Sequence, residues 1–160
     1  MTDFTDAAQP FLRALRSNNR DDDLLVLPQW DVGAWCDFFA YTQPTLVPAG
    51  SVLIQRGGTE RSLFFVTRGM LEVSASLDGY SLSPIARIIP GSVVGEIAFF
   101  DQQPRSAKVW ALEDSALQRL DFGDFQGYAA THPGRTTELL FALGRLLALR
   151  LRRAITPRAA

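Results

Sequence analysis

The stretch that decides the fold runs from Pro90 to Val109 and reads P-G-S-V-V-G-E-I-A-F-F-D-Q-Q-P-R-S-A-K-V. Two glycines, Gly91 and Gly95, bracket a short apolar run, Glu96 follows directly, and Arg105 comes after an aromatic-rich turn. Small residues let backbone N–H groups approach an anion closely, and arginine offers a planar fork that suits a phosphate. A carboxylate can accept a hydrogen bond from a sugar hydroxyl. The segment therefore carries the residue types needed to bind a phosphate and a ribose together.

Composition narrows the class of protein to which this segment belongs. A chain of 160 residues with a net charge of −1 is expected to form one domain without a broad basic surface for nucleic acid. No apolar run approaches about 20 residues, so no membrane span is expected. The single cysteine, Cys36, excludes an internal disulfide and is typical of a reducing cytoplasm. One cysteine and one histidine are too few for an ordinary zinc or iron–sulfur site, so no metal and no cofactor are expected.

Short strands separated by turn residues dominate the middle of the chain, from about residue 44 to residue 121. Asp78-Gly79 is a typical two-residue hairpin turn. Many short strands at regular spacing predict a β-sandwich or barrel of the jelly-roll type. The predicted strands cover residues 45–47, 52–55, 63–67, 71–76, 82–89, 106–112 and 116–121.

Helical segments flank the predicted barrel. Residues 1–27 are expected to form a helical extension, with Pro10 opening its helix and an acidic run at residues 21–23 exposed to solvent. A second helix is predicted over residues 31–41, with Asp31 as its cap.

Helical periodicity returns after Asp121, and Pro133 suits the first turn of a final helix over about residues 134–153. The apolar face of this helix is wider than one contact needs, so one side is expected to pack on the barrel and the other to form a dimer. Its arginine-rich end, which includes Arg150, is interpreted as a solvated helix terminus. Residues 154–160 form a tail.

The stretch from Gly95 to Val109 resembles the phosphate-binding cassette of the cyclic nucleotide-binding domain family. The family pattern is G-E-[LI]-A, a short helical turn, and then P-R-[ST]-A-x-V. This sequence has Gly95-Glu96-Ile97-Ala98 and then Pro104-Arg105-Ser106-Ala107-Lys108-Val109. The resemblance covers about residues 28–153. It implies a mainly β fold, a jelly-roll barrel (double-stranded β-helix) with N-terminal helices and a C-terminal lid helix.

The resemblance also implies roles for individual residues. Arg105 would pair with the exocyclic oxygens of a cyclic phosphate, and Glu96 would accept from the ribose 2′-hydroxyl. Gly95 would permit close approach of the backbone. Backbone amides at four further cassette positions would complete the phosphate cradle: Ile97, Ala98, Ser106 and Ala107. Three leucines of the final helix would close over the base as a lid: Leu140, Leu143 and Leu147. The alternative is a structural ion pair between Glu96 and Arg105 in an inert barrel.

These expectations favour a cytoplasmic cyclic nucleotide sensor that signals by rearranging its lid helix. The ligand is expected to be cAMP because no acidic residue lies mid-way along the final helix to bind guanine; cGMP and cyclic di-GMP stay open. Cyclic di-GMP would need further arginines, and Arg61 and Arg87 are the local candidates.

The expected partner is an unidentified protein or a second copy joined through the C-terminal helix. After that helix too few residues follow for a helix-turn-helix, so direct DNA binding is not expected. A regulatory fragment of a larger channel, transporter or kinase is the other alternative, and no catalytic constellation indicates an enzyme.

Overall fold

The computed structural model describes residues 2–17, 23–76 and 82–156. Three features of the sequence lie outside these residues: the acidic residues Asp21 and Asp22, the Asp78-Gly79 turn, and residues 157–160 of the predicted tail. None of the helices in the described residues is long and apolar enough to cross a membrane.

Five helices and eight strands follow one another along the described chain. The helices are α1 (Thr5–Ala14), α2 (Val32–Phe39), α3 (Glu96–Asp101), α4 (Phe122–Thr131) and α5 (Pro133–Ile155). The strands are β1 (Gln43–Val47), β2 (Val52–Ile54), β3 (Ser62–Arg68), β4 (Leu71–Ala75), β5 (Ser83–Ile88), β6 (Val93–Val94), β7 (Lys108–Ala111) and β8 (Ser115–Asp121).

The strands form two antiparallel sheets of four strands each. The strand order is β1-β8-β3-β6 in one sheet and β2-β7-β4-β5 in the other. In the first sheet β3 pairs along most of its length with β8, and in the second β4 lies between β5 and β7. The predicted mainly β architecture with flanking helices is therefore confirmed.

Strand β3 separates two apolar cores, because alternate side chains of a strand point to opposite faces. Phe64 and Val66 pack between the two sheets, whereas Leu63 and Phe65 pack against the helices. All four are nearly inaccessible to solvent. The helical core is rich in aromatic rings at tilted or edge-on contacts, among them Phe11, Trp30, Trp35, Phe38, Phe39 and Tyr128. It fixes α1, α2, α4 and α5 on the outer face of the first sheet.

Two local predictions are confirmed at helix starts. The carboxylate of Asp31 accepts a hydrogen bond from the backbone N–H of Ala34 at 2.8 Å, so Asp31 caps α2. Pro133 occupies the first turn of α5, where its missing N–H leaves no intrahelical bond unmade.

Three other predictions are wrong in detail. Pro10 does not open α1 but lies inside it, because the helix already begins at Thr5, whose N–H binds Asp3 at 2.9 Å. Strand β6 was not predicted, since two residues show no alternation. Residues 106–107 precede β7 and are not part of it.

Asp31→Ala is expected to lower the free energy of unfolding by about 1 kcal/mol, because the cap at the start of α2 is lost. Urea denaturation measures the change. Asp31→Ser keeps a capping oxygen and is expected to stay close to wild type; equal losses in both variants would contradict the capping role.

Candidate functional site

Arg105 is the centre of the site, and its backbone is fixed by the turn after β2. Its N–H donates to the carbonyl of Gly58 at 2.7 Å, and its carbonyl accepts from the N–H of Gly57 at 2.8 Å. The side chain is 4% exposed. One terminal nitrogen, Nη1, donates to the carbonyl of Gly95 at 2.9 Å, and Nη2 donates to the carbonyl of Ser62 at 3.0 Å. The guanidinium is thus held rigidly between β3 and the start of α3.

The Nε–H of Arg105 is buried and has no hydrogen-bond partner among the described residues. Burial lowers the pKa of Arg105 below its ordinary value, and the carboxylates of Glu60 and Glu96 act in the opposite direction. An arginine stays charged even so. A buried, unsatisfied donor costs about 1–3 kcal/mol, and more on a charged group. The site therefore has one strong donor that an added acceptor would satisfy.

Gly95 provides the space that Arg105 needs. It has φ of 92°, in the left-handed region, and precedes the first turn of α3. A Cβ atom at this position would lie 2.8 Å from the carbonyl oxygen of Ser62 and 2.9 Å from Nη1 of Arg105. Glycine is therefore required here both for the backbone conformation and for the approach of the guanidinium.

Glu96 does not form the ion pair with Arg105 that the sequence left open as an alternative, within the residues that the structure describes. Its Oε1 atom lies 2.6 Å from Nη1 of Arg150, near the end of α5. The side chain of Glu96 is 7% exposed and that of Arg150 is 20% exposed. The interpretation of the arginine-rich helix end as solvated is therefore wrong for Arg150, although Arg152 and Arg153 are exposed.

A cavity of about 160 Å³ opens beside Arg105. A second arginine, Arg119, reaches it from β8, while its Nε donates to Asp121 at 2.8 Å. The lining residues are Leu53, Ile54, Glu60, Ser62, Phe64, Arg105 and Arg119. A larger cavity of about 540 Å³ lies elsewhere, between the end of α1, residues 24–29 and α5. The cavity with converging charged groups is the smaller one, and Arg105 is the residue of the cassette that lines it.

The remaining predicted site residues lie in different surroundings. Ile97 and Ser106 are exposed, Ala98 is buried and Ala107 is half-buried. Among the lid candidates, Leu143 is fully buried in the helical core, Leu147 is half-buried and Leu140 is 37% exposed. None of these three lines the cavity beside Arg105, so their contact with a base stays a prediction.

Two arginines near the cassette, Arg119 and Arg150, were not assigned to the site from the sequence, and Arg61 was named only as a candidate for cyclic di-GMP. Arg119 lies two residues after Leu117 in β8 and therefore on the same face of the strand. Strand periodicity could have placed it on the inner face. Arg61 donates its Nε to the carbonyl of Phe99 at 2.7 Å and lies 3.3 Å from the centroid of the Phe122 ring. It thus ties α3 to α4 and is engaged within the protein. Arg150 is 54 positions from Glu96, and no local pattern marks it.

Comparison with known proteins agrees with this geometry. The model of the cyclic nucleotide-binding domain matches residues 44–132, more than half of the chain. The chain belongs to the cyclic nucleotide-binding domain family. The matched range includes the whole cassette and all of the strands except the first residue of β1.

Individual relatives of this cyclic nucleotide-binding domain differ in their overall length. The Pycsar effector protein XpPycTIR of Xanthomonas perforans is 33% identical over 104 residues, which are 64% of this chain and 33% of that protein. The cyclic AMP receptor protein of Thermus thermophilus is 30% identical over 115 residues, 72% of this chain and 51% of that protein. The chain therefore spans between a third and about half of the length of these relatives.

A solved cyclic nucleotide-binding domain from Methylobacillus flagellatus KT superimposes with a TM-score of 0.81, covering 100% of this chain and 88% of that chain. Its sequence identity is 19%, so this likeness shows the fold alone.

Gly95→Ala is expected to destabilise the protein more than Gly50→Ala does. Both residues have positive φ, but a Cβ at Gly50 meets nothing within 4 Å. The left-handed backbone costs about 1–2 kcal/mol in each variant, and overpacking against Arg105 adds about 1–3 kcal/mol in Gly95→Ala. Urea denaturation of both variants measures the difference. Equal losses would show that Gly95 is needed for its backbone alone.

Proposed function

We propose that this chain binds a 3′,5′-cyclic nucleotide, with cAMP as the first candidate, and that binding is signalled through α5 to a partner protein. The observation that carries the proposal is the buried Nε–H of Arg105, which lacks an acceptor among the described residues at the cassette of this family. A cyclic phosphate is a singly charged diester. One guanidinium and a few oriented amides can neutralise it.

The phosphate would enter the cavity beside Arg105. The first amides of α3 have no partner within the helix, since the first four N–H groups of any helix are left free. They face the same end of the cassette as Gly95, where α3 begins. A volume of about 160 Å³ is below the roughly 300 Å³ of a typical ligand pocket. The phosphate and ribose would therefore occupy the cavity, and the base would lie outside it.

Glu96 would accept a hydrogen bond from the ribose 2′-hydroxyl. Its carboxylate is buried and paired with Arg150, and carboxylate oxygens accept hydrogen bonds. The base would then be covered by the lid candidates Leu140, Leu143 and Leu147 after a movement of α5, because none of them lines the cavity now.

The output would pass through α5, because Arg150 joins this helix directly to Glu96. A ligand shifts a conformational equilibrium only by its differential contacts with the two states, and the cassette end of α5 is where such contacts would differ. Its exposed apolar residues Phe141, Leu151 and Ile155 provide a surface for a partner protein or a second copy. We place this regulatory, non-catalytic protein in the cytoplasm, in keeping with its single cysteine.

Two alternatives concern the base and the wider context. The hydroxyl-bearing residue Ser106 is exposed within the cassette, and cGMP is therefore the second ligand candidate. Cyclic di-GMP is less favoured, because Arg61 is already engaged by Phe99 and Phe122, and Arg87 lies on the exposed strand β5. The short coverage of its relatives favours, as a second candidate function, the regulatory module of a larger protein such as a channel, transporter or kinase.

Calorimetric titration of the protein with cAMP, cGMP, cCMP, cUMP and cyclic di-GMP tests the proposal. Arg105→Gln is expected to weaken binding roughly 10- to 150-fold, the equivalent of about 1.5–3 kcal/mol for a charge-assisted hydrogen bond. Arg87→Gln, which removes an exposed arginine from β5, is the matched control and is expected to bind like wild type. Absence of binding by wild type would refute the function, and full binding by Arg105→Gln would refute the role of Arg105.

Amide hydrogen exchange tests the output. Saturation with the bound nucleotide is expected to change exchange rates in the last turns of α5, residues 147–155, because local opening there depends on the contacts of Arg150. Strand β5 serves as the internal control and is expected to exchange unchanged. Identical exchange of α5 with and without ligand would contradict signalling through this helix.

A further inference from the structure

Asp23 brings the N-terminal segment to the nucleotide site. It precedes Leu24 and Leu25, and the N–H of Leu25 donates to the carbonyl of Gly91 at 2.9 Å. The backbone beside Asp23 is therefore attached to the stretch that leads into the cassette. The Asp23 side chain is 14% exposed, so the expectation of a solvated acidic run is wrong at this residue.

Arg150 is shared by two carboxylates. Its Nε donates to both oxygens of Asp23, at 3.0 and 3.2 Å, and its Nη2 donates to Oδ2 of Asp23 at 3.0 Å. Nη2 also contacts the carbonyl of Val93 at 2.7 Å and Oγ of Ser92 at 3.2 Å. Only Nη1 remains for Glu96, at 2.6 Å from Oε1.

The orientation of the guanidinium determines what Glu96 can offer. Arginine and a carboxylate pair most strongly as a two-pronged fork, and that fork is directed at Asp23. Glu96 is paired with the same guanidinium through Nη1, so the position of its carboxylate depends on where Arg150 is held. Burial disfavours the charged form of Arg150, but Glu96 and Asp23 outweigh it and raise the pKa of the guanidinium above its ordinary value.

We propose that Asp23 is a positioning residue for ribose recognition: by holding the fork of Arg150, it fixes this arginine beside Glu96 and so keeps the carboxylate in place for the 2′-hydroxyl. The inference rests on the proposed function and deepens it. When the Asp23 carboxylate is removed, Arg150 loses the three contacts that fix its Nε side, and the orientation of Glu96 beside it is no longer fixed. The hydroxyl then loses a positioned acceptor, although the phosphate contacts at Arg105 are untouched.

The inference also connects three parts of the chain. Asp23 precedes α2, Glu96 begins α3, and Arg150 lies near the end of α5. Any event that moves the N-terminal segment would alter the discrimination for a ribose hydroxyl at the cassette. A purely structural tether would behave differently, since its loss would weaken all ligands equally.

The test compares cAMP with 2′-deoxy-cAMP, or the corresponding pair for whichever cyclic nucleotide binds most tightly in the titration above. Wild type is expected to bind the ribose form at least about tenfold more tightly, as a hydrogen bond to a charged group implies. In Asp23→Asn the two affinities are expected to differ by no more than about twofold, while affinity for the deoxy analogue is retained. Asp37→Asn removes the carboxylate of the exposed pair between Asp37 and Arg135 of α5 and is expected to keep the wild-type ratio.

The outcomes separate the two proposals. Equal weakening of both ligands in Asp23→Asn, or an unchanged ratio, would overturn the positioning role while leaving the function intact. No binding by wild type would refute the function and this inference with it. Should Asp23→Asn fail to fold, Asp23→Glu retains a carboxylate for Arg150 and is expected to keep the wild-type ratio; loss of discrimination in Asp23→Glu would overturn the inference.

Discussion

The guanidinium of Arg105 is enclosed where β3, the turn after β2 and the start of α3 meet. Two backbone carbonyls, those of Ser62 and Gly95, hold its terminal nitrogens, and its own backbone is paired with Gly57 and Gly58. Neutral carbonyls offset part of the cost of burying a cation but do not neutralise it. The guanidinium is therefore held in place with an Nε–H that has no acceptor among the described residues, and this donor suits an anion.

The rest of the fold explains how such a site can be connected to a helix. One face of the first sheet packs against the second sheet. The other face packs against an aromatic helical core that fixes α1, α2, α4 and α5. Two arginines outside the cassette join its helix α3 to these helices. Arg61 joins α3 to α4 through Phe99 and Phe122, and Arg150 joins α3 to α5 through Glu96. Under the proposed function, these two contacts are the routes by which a change at α3 would reach α4 and α5.

The sequence contained most of the fold and the centre of the site, because these depend on local signals. Turn residues and alternation located seven of the eight strands, and the cassette motif identified Arg105 and Glu96. Strand β6 was not predicted because two residues show no alternation. The position of Pro10 was misjudged because the helix already begins at Thr5, five residues earlier. The partner of Glu96 could not be found locally. Whether Glu96 pairs with Arg105 or with Arg150 depends on how α5 packs, and helical periodicity does not determine that packing.

The most direct test of this account is an NMR spectrum of the arginine Nε–H groups during titration with the cyclic nucleotide. The Nε–H of Arg105 has no protein acceptor among the described residues. Its resonance, assigned with Arg105→Lys, is expected to move downfield as a phosphate oxygen accepts its proton, and to saturate together with binding. A nucleotide that binds to saturation while this resonance stays in place would contradict the claim that Arg105 is the phosphate receptor.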